Sequence, residues 1–255
     1  MLMLISPAKT LDFDSGYSTK IRTKPRNLDD SAELITDLKK LAPQDISELM
    51  SISDKLGALN YDRFQQWAPP FTKANAKPAV LAFKGDVYTG MQADTFSEDE
   101  LKFAQQHLRI LSGLYGLLRP MDLIQPYRLE MGTKFANPRG KNLYEFWQDI
   151  VTPLVNKDLK ASGSETLLNL ASNEYFNAVK TKEIRGAVIT PVFKDMKNGK
   201  YKIISFFAKK ARGMMAAYVI QNGIQHVKDI KAFNVDDYVF NAALSEGNQW
   251  VFTRG

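Results

Sequence analysis

The chain has 255 residues, 44% hydrophobic and 24% charged, enough apolar content for a packed core and too much for disorder. It has no cysteine, which excludes disulfides, thiol nucleophiles, sensor thiols and thiolate metal sites, and its two histidines, His107 and His226, exclude a histidine-rich metal centre. Lys and Arg number 34 against 28 Asp and Glu, a net charge of +6 that favours polyanionic partners.

Taken in chain order, residues 2–5 are predicted as a first strand rather than a secretion signal, because no basic leader precedes them. A polar turn, Ser6-Pro-Ala-Lys-Thr10, follows. Residues 15–28 hold no acid and place Lys20, Arg22, Lys24 and Arg26 at alternate positions. Extended, these four would share one face. Pro25 argues for a basic arm or loop rather than a central strand. Helices are expected over 30–41, 44–51 and 54–67, ended by Pro69-Pro70. Residues 79–83 are expected as a second strand, leading into Lys84-Gly-Asp-Val-Tyr-Thr-Gly90.

Ser97 with Glu100 forms a capping box for a helix to about residue 106, which makes His107 structural. The apolar run 108–111 fits either a continuation of that helix or a strand. Ser112-Gly-Leu-Tyr-Gly116 reads as a glycine turn exposing Tyr115 and Arg119. Residues 120–141 are irregular and carry Arg128, Lys134, Arg139 and Lys141; a long loop inside a domain is usually functional or mobile. A helix is expected over 143–158, interrupted near Pro153, then a strand over 167–171 ending in Ser172-Asn-Glu-Tyr175. Strands 187–193 and 200–207 flank a hairpin signal at 195–199, with Pro191 placing the first at an edge or bulge. Residues 249–253 are expected as a last edge strand. No repeat or linker divides the chain, so a single mixed α/β domain over 1–255 with a central sheet is expected. The apolar runs are too short to span a bilayer.

The stretch 196–228 contains no Asp or Glu and carries seven cations: Lys197, Lys200, Lys202, Lys209, Lys210, Arg212 and Lys228. Its apolar part, 203–208, is expected as a buried strand, and 209–222 as a helix stopped by Gly223. Lys209, Lys210 and Arg212 then stand at a helix start, where unpaired N–H groups favour an anion such as phosphate. The alternative is that they splay into water. Five expected strand ends carry polar and charged residues, and ligands of α/β sheets bind beyond strand ends. If the strands share a sheet, Lys9, Lys84, Arg119, Lys209 and Arg212 converge on one cleft, with Asp86 and Glu174 pairing among them.

Ser51-Ile-Ser-Asp-Lys-Leu-Gly57 joins two expected helices and resembles a helix-hairpin-helix motif. Such a turn binds phosphate through backbone N–H groups at the second helix, without reading bases. Here Ser51 and Ser53 replace the usual glycines, Lys55 holds the cationic position, and Gly57 stands where alanine is usual. No Walker loop or dinucleotide fingerprint is present. Asp86, Glu130 and Glu174 are the candidates for acid, base or metal-ligand roles.

SPAKTLDF (6–13), LMSISDKL (49–56), AFKGDVYTG (82–90), LSGLYGLLRPMDLIQPYRLEMG (111–132), NLASNEYF (169–176) and KIISFFAKKARGMM (202–215) resemble the YaaA family over nearly the whole chain. That resemblance implies a cytoplasmic DNA-binding protein of the bacterial peroxide-stress response, linked to DNA repair and to low intracellular free iron. It also implies a family-specific fold with a positively charged cleft and a helix-hairpin-helix. It carries no settled catalytic residues. The expectation is therefore a DNA-phosphate site formed by Ser51, Ser53, Lys55, Lys9, Lys84, Arg119, Arg128, Lys209, Lys210 and Arg212, with no cofactor and no resident metal. The alternative is an enzyme acting on a nucleotide or nucleic acid at the same polar cleft.

Overall fold

The first strand sets the centre of the molecule. β1 (Leu2–Ile5) is apolar at every position and buried at every position, as a strand covered on both faces must be. A computed structural model describes all 255 residues around it. In chain order there follow β2 (Thr10–Leu11), α1 (Leu28–Leu38), α2 (Pro43–Met50), α3 (Asp54–Gln66), β3 (Lys77–Pro78), α4 (Ala79–Ala82), β4 (Phe83–Lys84) and α5 (Asp86–Met91). Then come α6 (Glu98–His107), β5 (Leu108–Ser112), β6 (Gly116–Leu118), β7 (Leu123–Ile124), α7 (Leu143–Ala161), β8 (Thr166–Leu170) and α8 (Asn173–Phe176). The last elements are β9 (Ala187–Lys197), β10 (Lys200–Lys202), α9 (Ser205–Gln221), β11 (Val239–Phe240) and β12 (Gln249–Arg254).

The main sheet has the order β11-β12-β9-β8-β1-β5-β6, with β10 also paired to β9. β12, β9, β8, β1 and β5 are mutually parallel, and β6, β10 and β11 run against their neighbours. The chain goes from β1 to β5 on one side and later to β8 on the other. The carboxyl ends of β8, β1 and β5 therefore lie together at a topological switch point, where open α/β sheets place ligands.

Several expected elements differ. Residues 203–208 are not a strand: Ile203 is 60% exposed, and α9 begins at Ser205. A six-residue apolar run does not separate strand from helix by periodicity. α9 is the helix because α5 packs closely on it. An added Cβ at Gly213 would stand 1.8 Å from the Val87 carbonyl oxygen, and one at Gly90 2.1 Å from the Lys210 carbonyl oxygen. Lys209, Lys210 and Arg212 thus lie in the second turn, not at the helix start.

Residues 79–83 fold as the single turn α4 followed by β4. Pro153 does not interrupt α7, because it sits on the exposed face where water can serve the freed carbonyl. β12 is not an edge strand; it lies between β9 and β11. Pro191 is likewise interior, facing Trp250 on β12. It falls after the last β8 rung at Ile189 and before the β10 rung at Asp195, so its missing N–H breaks no ladder there. The β9–β10 turn places Asn198 and Gly199 at positive φ, the conformation the Asn-Gly pair favours.

α2 and α3 are two helices joined by the short turn 51–53. Gly57 allows their close approach: a Cβ there would stand 2.0 Å from Ser47 Oγ and 2.7 Å from the Pro43 carbonyl oxygen. The Ser97–Glu100 capping box is present at α6. His107 is buried, its Nδ1 3.0 Å from the Met1 carbonyl oxygen and its ring stacked on Phe103. The basic arm is extended and pinned. Thr23 N–H donates to the Met121 carbonyl, and the Thr23 carbonyl accepts from Leu123 N–H. Arg26 turns inward to Asp158, which also pairs with buried Arg109 at 2.6 Å. Burial pushes the Asp158 carboxyl up, but the hydrogen bonds from Arg26 and Arg109 outweigh it and hold it below its usual range.

Candidate functional site

Hydroxyl groups cap the three central strand ends. Ser6, just past β1, sends its Oγ to Ser172 Oγ at 3.2 Å and accepts from Ser172 N–H at 2.9 Å. Tyr88 of α5 donates to the Ser6 carbonyl at 3.1 Å. At the end of β5, Ser112 Oγ lies 2.6 Å from Tyr127 Oη and accepts from Tyr115 N–H. Burial raises the pKa of Tyr88, Tyr127 and Tyr175, and their mutual proximity raises that of Tyr88 and Tyr175 further, so all three stay protonated at neutral pH. This phenol layer forms the floor of the site.

Charged side chains form its rim. Lys9 Nζ lies 2.7 Å from Glu130 Oε2, and Arg128 Nη2 donates to Glu130 Oε1 at 3.0 Å. Arg128 Nε is buried and has no partner. Glu174 accepts from Gly132 N–H at 3.0 Å. The Lys9 turn abuts the Lys84 turn through the β2–β4 pairing, in which Thr10 faces Lys84. Ala8 also closes on Gly85, where a Cβ would come within 3.2 Å. Lys84 Nζ stands 3.6 Å from Asp12 Oδ2. Lys209 Nζ reaches Asp86 Oδ2 only at 4.0 Å, and its side chain is 52% exposed.

Arg212 follows Lys209 by three residues on the same helical face. It is partly buried and forms no ion pair; burial pushes its pKa down. Lys210 also has no carboxylate partner. Lys9, Lys84, Arg128 and Lys209 thus lie near Asp12, Asp86 and Glu130, while Lys210 and Arg212 on α9 pair with no carboxylate.

Other expected residues lie elsewhere. Arg119 is not free: it chelates the fully buried Asp122 with Nε and Nη2 and donates to the Lys24 carbonyl. Tyr115 is not exposed; it is fully buried, accepting from Trp67 Nε1 at 3.0 Å. Ser51, Ser53 and Lys55 are exposed on the α2–α3 hairpin, and no hydrogen bond or ion pair ties them to the strand-end group. Ser51 takes the left-handed conformation, φ 50, and Ser53 is the N-cap residue of α3 without a side-chain cap bond. The sequence reading did not single out Ser6, Ser172, Tyr88 and Tyr127 as site residues. For Ser6 and Ser172 the signal is a hydroxyl one or two residues past a strand end; Tyr88 and Tyr127 have no such signal.

No helix is long and apolar enough to cross a membrane. Residues 1–244 match the family described as peroxide stress protein YaaA. The chain is 64% identical over 254 residues to a UPF0246 protein of Saccharophagus degradans, covering 100% of this chain and 99% of that protein. It is 63% identical to a UPF0246 protein of Teredinibacter turnerae and 61% identical to one of Cellvibrio japonicus, again over 254 residues. These two alignments cover 100% of this chain and 99% and 98% of the relatives.

Proposed function

The chain belongs to the peroxide stress protein YaaA family, and from that premise we propose that it binds duplex or distorted DNA through the phosphates, at the cation-rich rim beyond β1 and β4. The observation that carries the reading is on α9. Arg212 is partly buried without a carboxylate, beside unpaired Lys210 and a Lys209 whose only acid is 4.0 Å away. Burying part of a guanidinium is costly unless an anion completes it. Lys9, Lys84 and Arg128 extend the rim, and their carboxylate partners orient them for a phosphate. Lys55, with Ser51 and Ser53, supplies a second contact on the α2–α3 hairpin. Contact of this kind positions a duplex without reading its sequence. In this reading the DNA link to repair follows from binding distorted sites. No group of three or more His, Cys, Asp or Glu converges to hold a metal ion, and the reading routes peroxide protection through DNA, not through iron held by this chain.

Roughly five phosphate contacts give a log–log salt slope near −4.5, a loss of affinity on the order of several hundred-fold between 50 and 200 mM salt. Fluorescence anisotropy with labelled duplex and bubble DNA measures it. The Lys209→Glu/Lys210→Glu variant should weaken all sequences alike and flatten the slope by about 2. Affinity indifferent to salt, or unchanged in that variant, would sink the reading. A second reading, chemistry on a nucleotide or nucleic acid, is supported by Glu130 beside Lys9 and Arg128 and by the hydroxyls at the central strand ends. Incubation of the pure protein with DNA and nucleotides, with and without magnesium, decides it; unchanged substrates count against it.

A further inference from the structure

A cavity of about 930 Å³ opens between the 12–19 loop, α4, α5 and the start of α6. Its volume suits a small-molecule ligand. We propose that this cavity binds a nucleotide, with the ring held among its aromatic side chains and the phosphate at its lysine end. Phe83, Tyr88 and Phe96 are all at least 92% buried and line it, as does Tyr17. The three buried rings give the cavity an apolar wall, and the half-buried Tyr17 ring offers surface to a flat heterocycle.

Lys77 and Lys84 also line it, both near Asp12. The Lys77 side chain is only 6% exposed, and its Nζ donates to the Ser15 carbonyl at 2.8 Å. Asp12 is already engaged by the N–H groups of Asp14 and Ser15. With Lys77 held by the Ser15 carbonyl and Asp12, Lys84, its side chain 66% exposed, is the cation left to meet a phosphate. Asp94 and Glu98, both exposed, line the α6 end and can accept from the exocyclic amino group of a base. The Tyr17 hydroxyl is buried with no partner.

The nucleotide has two sources: a free monophosphate, or a nucleotide extruded from a bound duplex. Only the second rests on the DNA reading. Calorimetric titration with AMP, CMP, TMP and adenosine tests the first. AMP and CMP should bind at least ten-fold more tightly than adenosine. Thr89→Trp, which fills the cavity from an exposed wall, should weaken AMP at least ten-fold. Asp94→Ala should weaken AMP and CMP several-fold while sparing TMP, and it covers the case in which the larger variant fails to fold. Bubble DNA carrying 2-aminopurine tests the second: its fluorescence should rise on binding, and Thr89→Trp should abolish the rise while salt-dependent retention of the DNA stays. Either binding arm alone supports the site and names the source. The proposal is overturned if no monophosphate binds and 2-aminopurine stays dark, if adenosine binds as well as AMP, or if both variants bind like the natural chain. Loss of DNA retention with monophosphate binding intact would instead count against the DNA reading alone.

Discussion

Gly213→Ala tests whether the α5–α9 contact builds the site. In an exposed helix the change would favour folding by up to about 1 kcal/mol. Here the new Cβ would meet the Val87 carbonyl oxygen at 1.8 Å and Met91 N at 2.9 Å. Both are backbone atoms, so no side chain can swing away. Ordinary contact begins near 3.4 Å, so α5 must retreat from α9 by about 1.6 Å. Overpacking of this kind costs about 1–3 kcal/mol, with the higher end expected where a whole helix must move. Net of the helix gain, about 1–2 kcal/mol of destabilisation remains, a fall of roughly 3–6 °C in Tm for a chain of this size. α5 also carries Asp86 and Tyr88, so the Lys209–Asp86 and Tyr88–Ser6 contacts should loosen with it. Thermal and urea unfolding of the variant, with Gly16→Ala as the control because nothing lies within 4 Å of its Cβ position, measures the cost. A Tm equal to or above that of the natural chain would refute the close crossing.

Two further outcomes follow from buried and half-buried charges. Asp158→Asn leaves Arg26 and buried Arg109 without their shared anion, which should cost about 3 kcal/mol in urea unfolding; a loss below 1 kcal/mol would mean the pair is solvated. The Asp12 carboxyl is lowered from 3.8 to about 2, first by hydrogen bonds from Ser15 and then by Lys77 and Lys84. A depressed acid contributes stability that is present above its unfolded pKa and is lost as pH falls through its folded value. Tm should therefore drop between pH 4 and pH 2, and Asp12→Asn should flatten that part of the profile; identical profiles would remove Asp12 from the account.

Much of the fold is legible because its central strands are buried on both faces. β1, β5 and β8 read as short apolar runs, and the capping box located the start of α6. The failures have a common cause in contacts distant in sequence. Residues 203–208 suit a strand locally, yet 205–208 open α9, whose close crossing with α5 at Gly90 and Gly213 joins elements more than a hundred residues apart. Tyr115 sat in an apparently open glycine turn, but Trp67 and Gln125 enclose its hydroxyl. Arg119 is the instructive exception. Its partner Asp122 is three residues away, so the pairing was available from spacing alone. At the site, the Lys9 and Lys84 turns meet through the β2–β4 pairing and Lys209 lies 4.0 Å from Asp86, whereas the contacts of Tyr88 and Tyr127 depend on how their rings are buried, which spacing does not report.

The basic arm has a consequence for the entropy of association. Lys20, Arg22 and Lys24 are exposed at alternate positions, about 6.6 Å apart along the chain. Thr23 between them is fixed to Met121 and Leu123, and Arg26 beyond them is locked to Asp158. The backbone freedom of this segment is lost when the protein folds, not when a partner arrives. A polyanion meeting it would have only the lysine and arginine rotamers left to order, so each contact keeps more of its gross energy as affinity than the same cations on a loose tail would.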